Sequence, residues 1–275
     1  MLIGCHVSIA GGIDKAPERA SSLGAEAMQI FTRSPRGGNA PEITDGLLES
    51  FQRNISEYKI RLTVVHTPYY INLASENNRI RYGSAKVIRE ELERASLLGA
   101  RYVMTHLGSA GEMEKDAAIE KTIEMFRKSL DGYAGSAELL IENSAGAGKI
   151  IGDNFLEISR ILKGVAHPKL TGTCLDTQHS FASGYDWRDT ENTLGKIGEE
   201  IGLEKIKLIH ANDSKTAFAS KKDRHEHIGK GEIGLGAFEK IIAFAKEHDI
   251  SMILETEHDA VKEDIALLKG IRHKK

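Results

Sequence analysis

Apolar runs rich in branched residues recur eight times along the chain, and a segment with helical periodicity lies between each run and the next. The runs are LIGCHVS (2–8), AMQIFT (27–32), LTVVHT (62–67), YVMTHLG (102–108), ELLIEN (138–143), LTGTCLD (170–176), KLIHAND (207–213) and SMILETE (251–257). Near-continuous apolar character over so few residues suits strands buried on both faces of a parallel sheet. After the fourth run, Ile119, Ile123, Phe126 and Leu130 fall at i, i+4, i+7 and i+11 and form one apolar stripe. Ile88, Leu92 and Ala95 do the same before it, and Val261, Ile265 and Leu268 after the last run. Eight strand–helix alternations in 275 residues predict a single (β/α)8 TIM barrel over residues 1–275, with a doubly wound open sheet as runner-up. No Pro- or Ser-rich linker divides the chain.

A hydrophobic content of 40% and a charged content of 28% describe a globular chain with material for a sizeable core. No apolar run approaches the ~20 residues a membrane span needs. The start, MLIGCHVSIAGG, lacks the basic region of a signal peptide, so a cytoplasmic chain without a membrane partner is expected. Cys5 and Cys174 both fall inside strand-like runs and read as buried free thiols. The formal net charge of −3 argues mildly against a nucleic-acid partner, unless bound cations change the balance.

The ends of the runs carry the chemistry. His6, His66, His106, Glu142, Asp176 with His179 just beyond it, His210 and Glu255 stand at or near seven of the eight C-terminal ends. Taken singly, a strand-end histidine is more often a hydrogen-bonded structural group than a ligand, and a loop carboxylate is usually solvated. A barrel converges these ends on one axis, where barrel enzymes place their active sites. Several carboxylates and imidazoles packed together without a cation would be strongly destabilised by repulsion and desolvation. Imidazole plus carboxylate suits zinc, with manganese or iron also compatible, and fits an all-oxygen magnesium or calcium site poorly. The set is too large for one ion; if about three protein ligands serve each catalytic zinc, nine side chains would hold three ions.

The stretch DRHEHIGKGEIG (223–234) offers two further readings. GKGEIG matches the G-x-G-x-x-G dinucleotide fingerprint, but that fingerprint must follow a strand and open a helix. Here it follows the charged run SKKDRHEH, so the glycines are expected only to turn the chain into a helix starting near Leu235. Ala237, Ile241 and Ile242 would line that helix's inner face. Asp223 and His225 alternate, which points both side chains the same way in an extended segment and makes them ligand candidates. The loop that carries them, roughly twenty residues long, is unusual unless functional.

These residues sit in motifs that resemble the endonuclease IV family, zinc-dependent apurinic/apyrimidinic endonucleases of base-excision repair. The motifs are HVSIAGG, IFTRSPR, HTPYYINLAS, HLGS, IENSAGAG, CLDTQHSFASGYD, HANDSK, DRHEHIGKGEIG and ILET, in order and almost end to end. The resemblance implies that His66, His106 and Glu142 hold one zinc, with Glu142 bridging to a second. It places Asp176, His210 and Glu255 at that second ion, and His179, Asp223 and His225 at a third. His227 falls outside the implied ligand set. Arg36, Tyr69 and Tyr70 fall where the family probes the base stack at a lesion. Two features depart from the family: Tyr70 stands where a smaller apolar residue is common, and Gly37–Gly38 where a bulky one is.

The implied activity is hydrolysis of the phosphodiester 5′ to an abasic site in double-stranded DNA, leaving a 3′-hydroxyl and a 5′-deoxyribose phosphate. A hydroxide bridging the Glu142-linked pair would be the nucleophile, and Glu142 the catalytic carboxylate. Three Zn²⁺ against four ligand carboxylates would move the chain from −3 to about +3, which favours an anionic substrate. Arg33, Arg36, Lys215, Lys221, Lys222 and Arg224 are expected to hold flanking phosphates. No obligatory protein partner is implied, and a monomer is expected. A metal-dependent sugar isomerase or epimerase, and a silent binder of damaged DNA, are the rival readings.

Overall fold

In the computed structural model, which describes residues 1–274, the alternation closes on itself. Strands β1 (Ile3–His6), β2 (Ala27–Ile30), β3 (Leu62–His66), β4 (Tyr102–Thr105), β5 (Glu138–Glu142), β6 (Leu170–Asp176) and β7 (Ile206–His210) follow in chain order. Two-residue strands β8 (Asp213–Ser214) and β9 (His225–Glu226) then form a small antiparallel pair, and β10 (Ser251–Leu254) completes the barrel. The closed order is β1-β10-β7-β6-β5-β4-β3-β2, every barrel pair parallel. The TIM barrel, rather than the open doubly wound sheet, is the fold. Among the described residues no helix is long and apolar enough to cross a membrane.

Two apolar regions hold the barrel. Ala27, Leu62, Val64, Tyr102, Met104, Leu140, Cys174, Leu208 and Ile253 fill its interior, and a larger shell packs the outer strand faces against the helices. The stripes at Ile88/Leu92/Ala95, Ile119/Ile123/Phe126/Leu130 and Val261/Ile265/Leu268 are all buried in that shell. Both cysteines are buried and free. At about 25 cal/mol per Å² of apolar surface removed from water, each fully buried Leu, Ile or Phe contributes roughly 1.5–3 kcal/mol.

Strand parity positions the site. Side chains alternate across a strand, so a residue two places beyond an inward one also points inward. Val64, Met104, Leu140, Cys174, Leu208 and Ile253 line the barrel interior, and two residues beyond each stand His66, His106, Glu142, Asp176, His210 and Glu255. Ala27 on β2 is followed by Gln29 in the same way. The apolar plug and the polar layer above it therefore come from one register of the same strands.

The seventh run ends earlier than expected. Its strand stops at His210, and Asp213 leaves the barrel to pair with Glu226 in the small β8–β9 ladder. The long loop that follows is thus anchored at its base. Its exit is the helix Leu235–Glu247, with Ala237, Ile241 and Ile242 buried as expected.

Candidate metal centre

Three groups of ligand-capable atoms, each with its members mutually within 4.8 Å, crowd the C-terminal mouth: His66–His106–Glu142, Glu142–Asp176–His210–Glu255, and Asp176–His179–His225. The spacings within them are informative. Oε2 of Glu142 lies 3.4 Å from Nε2 of both His66 and His106. Oδ1 of Asp223 lies 3.4 Å from Nε2 of both His179 and His225. These separations exceed an ordinary N–H···O hydrogen bond. They match the ~3.3–3.4 Å between two ligands that each lie about 2.0–2.1 Å from a tetrahedral zinc. In the middle group, Nδ1 of His210 is 2.9 Å from Oε1 of Glu142, 3.0 Å from Oε2 of Glu255 and 3.8 Å from Oδ2 of Asp176.

The unused lone pairs tell the same story. Among the described residues, Oε2 of Glu142 and Nε2 of His179 and His225 are buried without a hydrogen-bond partner. Buried polar atoms are seldom left so, and an uncompensated one costs about 1–3 kcal/mol. Tautomers agree where they are fixed. Nδ1–H of His66 donates to the carbonyl of Thr67 at 2.6 Å, and Nδ1–H of His179 to that of Asn143 at 3.0 Å, leaving each Nε2 unprotonated in the neutral ring. Donors and orphaned acceptors of this kind fit a bound divalent cation.

Within the cluster, opposite charges offset the penalty of burial. Burial opposes ionisation of Glu142, yet His106, His210 and His179 hold its pKa well below the ordinary carboxylate value. Glu255 is depressed against the same burial, chiefly by His210. Burial lowers the pKa of His179 and His210, but the groups facing them win and raise both well above the ordinary value: the carboxylates of Asp176, Asp223 and Glu142 for the first, and the Cys174 thiol with the carboxylates of Glu255 and Glu142 for the second. Asp223 falls to about 2, partial desolvation at the mouth opposing and His179 and His225 prevailing. His6, half-buried and ringed by other imidazoles, drops to about 4, desolvation being the main cause. It faces the cleft but belongs to none of the three groups.

Local folding explains how the ligands are held. Asp176 caps the helix Thr177–Ser183, its Oδ1 accepting the N–H of His179 at 2.7 Å, so one carboxylate positions the next candidate ligand. Asn143 brackets the Asp176 backbone, accepting its N–H at 2.7 Å and donating to its carbonyl at 3.1 Å. Asn212 donates to Oδ2 of Asp176 at 2.7 Å and accepts the Glu255 N–H at 2.9 Å. Sequence reasoning missed both asparagines. The signal was their position, one and two residues past a ligand-bearing strand end, but an amide there also reads as an ordinary loop residue.

The DRHEHIGKGEIG stretch divides in three. Asp223 and His225 reach the centre, Asp223 from an exposed rim with its side chain 60% accessible. His227 turns away: its Nδ1 meets Asp264 at 2.7 Å and its Nε2 meets Asp259 at 3.1 Å. GKGEIG does more than turn the chain. The N–H groups of Gly229, Gly231, Ile233 and Gly234 all donate to the carboxylate of Asp213 at 2.9–3.4 Å. The motif is an anion nest, as its glycines suggest, but the anion is a side chain of the same protein.

Around the centre lies a cleft of about 500 Å³, lined by His6, Tyr69, Lys215 and Arg224 among others. Tyr69, on its wall, is 67% exposed with its ring packed edge-on to Phe31 and His66, and the next residue, Tyr70, is 39% exposed. Arg36, Lys221 and Lys222 are exposed. Gly37 and Gly38 have φ of 118° and 99°, a region that residues with a side chain rarely adopt. Arg33 is a correction. Expected on the phosphate-binding surface, it is 4% exposed, with its Nε on Glu91 and an Nη on Glu90. The buried Glu91 carboxylate requires that partner, and the guanidinium is unavailable to a ligand.

The barrel and the layer of histidines and carboxylates at its mouth define a TIM-barrel enzyme with a candidate multimetal centre. The family model for "Xylose isomerase-like TIM barrel" matches residues 17–271. A probable endonuclease 4 of Cenarchaeum symbiosum is 36% identical over 277 residues, covering 99% of each chain. The crystal structure of endonuclease IV from Thermus thermophilus superposes with a TM-score of 0.85 at 32% identity, over 99% of this chain and 98% of that one. A D-tagatose 3-epimerase-like protein gives 0.76 at 20% identity, over 98% and 97%, a likeness of fold alone. The chain belongs to the endonuclease IV family and is a hydrolase of that type.

Proposed function

We propose that the chain nicks double-stranded DNA at abasic sites, hydrolysing the phosphodiester 5′ to the lesion and leaving a 3′-hydroxyl and a 5′-deoxyribose phosphate. The observation that carries this reading is the pair of shared-oxygen spacings, Glu142 to His66 and His106, and Asp223 to His179 and His225, all 3.4 Å. Three zinc ions would be held by His66, His106 and Glu142; by Glu142, Asp176, His210 and Glu255; and by His179, Asp223 and His225. Manganese or iron is compatible with the same donors. When bound, such ions supply an activated water near neutral pH and offset charge on a transferring phosphate.

The chain's own groups do the rest. Glu142, fully buried and kept ionised by its histidines, offers one oxygen to each of two ligand groups and so fixes their spacing. Lys215 and Arg224, on the cleft wall, would hold phosphates flanking the scissile one. Arg36, Tyr69 and Tyr70, all exposed, would meet the base stack. An abasic nucleotide has no base to unstack, so turning it into the cleft costs less than for an intact one.

Metal content by mass spectrometry, paired with nicking of a duplex carrying one abasic site, tests this directly. Close to three transition-metal ions per chain and chelator-sensitive nicking on the 5′ side are expected. One metal per chain without nicking would instead favour a sugar isomerase or epimerase. Binding of the damaged duplex without nicking, at full metal content, would favour a silent damage binder.

A further inference from the structure

Of the eight barrel strands, β2 alone delivers no metal-capable side chain to the mouth; at the equivalent position it places Gln29, fully buried. Its amide touches two residues of the centre, Glu255 and His210, and the neighbouring His6. Nε2 lies 2.6 Å from Oε1 of Glu255 and 3.0 Å from Nδ1 of His6, while Oε1 lies 2.8 Å from Nε2 of His210. The direction of each bond follows from chemistry. An ionised carboxylate only accepts, so the amide group facing Glu255 must be the NH2. Its second hydrogen then meets His6, whose Nδ1 must be the acceptor, leaving the His6 proton on Nε2. The amide oxygen faces His210, whose Nε2 must therefore carry the proton. Nδ1 of His210 is left as a lone pair in the neutral ring, facing Glu142 and Glu255 oxygens at 2.9 and 3.0 Å.

We propose that Gln29 is the positioning residue of the middle metal group, a single amide that fixes the tautomers of His210 and His6 and aims Glu255. The inference rests on the reading that these residues hold a metal, though not on what the enzyme cleaves. Gln29 takes the part that the carbonyls of Thr67 and Asn143 take for His66 and His179. It serves the opposite ring nitrogen, which is why His210 presents Nδ1 where those two present Nε2. The same bond makes His6 a neutral donor in the cleft wall, able to give its Nε2–H to a phosphate oxygen without competing for metal.

Two variants and one spectrum test it. In zinc-loaded wild-type protein, ¹⁵N-detected imidazole spectra should show His6 unprotonated at Nδ1 and protonated at Nε2, its signals identified by their loss in His6→Asn. Gln29→Leu keeps the volume and removes all three bonds. It should weaken Zn²⁺ binding to the chelator-stripped chain at one class of sites by about tenfold to a hundredfold, with the circular dichroism spectrum retained. Gln29→Glu keeps an acceptor for His210 but turns an acceptor toward both His6 and Glu255, so zinc affinity at that class of sites should fall here too. The Nδ1 of His6 should then gain a proton while His210 still presents Nδ1 to the ion. A merely space-filling Gln29 would leave the His6 tautomer unmoved by this change. Wild-type His6 protonated at Nδ1, or zinc affinity in Gln29→Leu within about twofold of wild type, overturns the proposal. Should the variants fail to fold, the wild-type spectrum still decides. Loss of nicking with these results intact would overturn the DNA reading and leave this one standing.

Discussion

The carboxylate of Asp213 accepts the N–H of Gly231 at 3.1 Å, and with the neighbouring N–H groups of the same loop it ties the end of the seventh barrel segment to the GKGEIG turn. Between the two anchors runs the segment that carries Asp223 and His225. Asp213 is buried, and burial raises its pKa while the loop amides pull it down. Gly231 leaves no room for a side chain there, since a Cβ would sit 2.4 Å from the Ser214 carbonyl oxygen. Asp213→Ala would orphan several donors at once and is expected to cost about 3 kcal/mol, lowering Tm by ~5–10 °C in calorimetry. Metal at the His179–Asp223–His225 group should fall before metal at the other two. Unchanged stability, or uniform metal loss, would mean the nest does not hold this loop.

Glu142→Gln isolates the shared carboxylate. Glutamine keeps the shape of a side chain that sits at 0% exposure beneath the cleft, so the barrel should fold with its ordinary spectrum. It removes the negative charge that faces His66, His106, His179 and His210. Cleavage of an abasic-site duplex should drop by at least about a thousandfold in kcat, with DNA affinity far less affected. Single-turnover kinetics at saturating protein measures this. Near-wild-type rates would rule out a bridging role.

Much of this centre was legible because barrel parity is periodic. Once Val64, Met104, Leu140, Cys174, Leu208 and Ile253 are read as interior, the residues two places on must converge. Helix stripes were legible for the same reason. What escaped the sequence was pairing between distant side chains. Gln29 carries no metal chemistry of its own, and its meaning lies in three partners on other segments. GKGEIG reads as a loop awaiting an external anion, because nothing local reveals that Asp213 already fills it. Arg33, in the same loop as the exposed Arg36, reads as surface until the buried Glu91 from the helix Asn78–Leu97 is placed against it.

The pKa shifts predict how metal and pH are linked. His179 and His210 have folded-state values raised above the ordinary ~6.5, so their contribution to the metal-free protein is fully present below that value and lost as pH climbs through the raised ones. Glu142, Glu255 and Asp223 are depressed, so theirs is present above the ordinary ~4 and lost as pH falls through the lowered values. From these groups, chelator-stripped protein should be most stable between about pH 4.5 and 6.5. Zinc replaces protons on the two histidines, so the Tm gain on adding zinc should grow from about pH 6 to about pH 8. Scanning calorimetry of stripped and loaded protein across that range checks it. A gain independent of pH would show that these histidines are not metal ligands.

Arg33 and Arg224 separate structural from DNA-binding cations. Arg33→Ala strands a buried carboxylate at Glu91, and breaking such a pair typically costs about 3–5 kcal/mol. It touches no cleft-facing surface, so the salt dependence of DNA binding should stay as in wild type. Arg224 is exposed on the cleft wall, its guanidinium held among the described residues only by the Asp223 carbonyl at 2.6 Å, so Arg224→Ala should leave Tm within about 1 °C. If Arg224 contacts a phosphate, its loss removes one released counterion, lowering the slope of log K against log salt by about 1 and weakening binding uniformly across sequences. Fluorescence anisotropy on an abasic duplex at several salt concentrations, beside melting curves, measures both quantities. The opposite pattern, a salt slope that falls with Arg33→Ala and not with Arg224→Ala, would place the DNA on a different face of the barrel mouth.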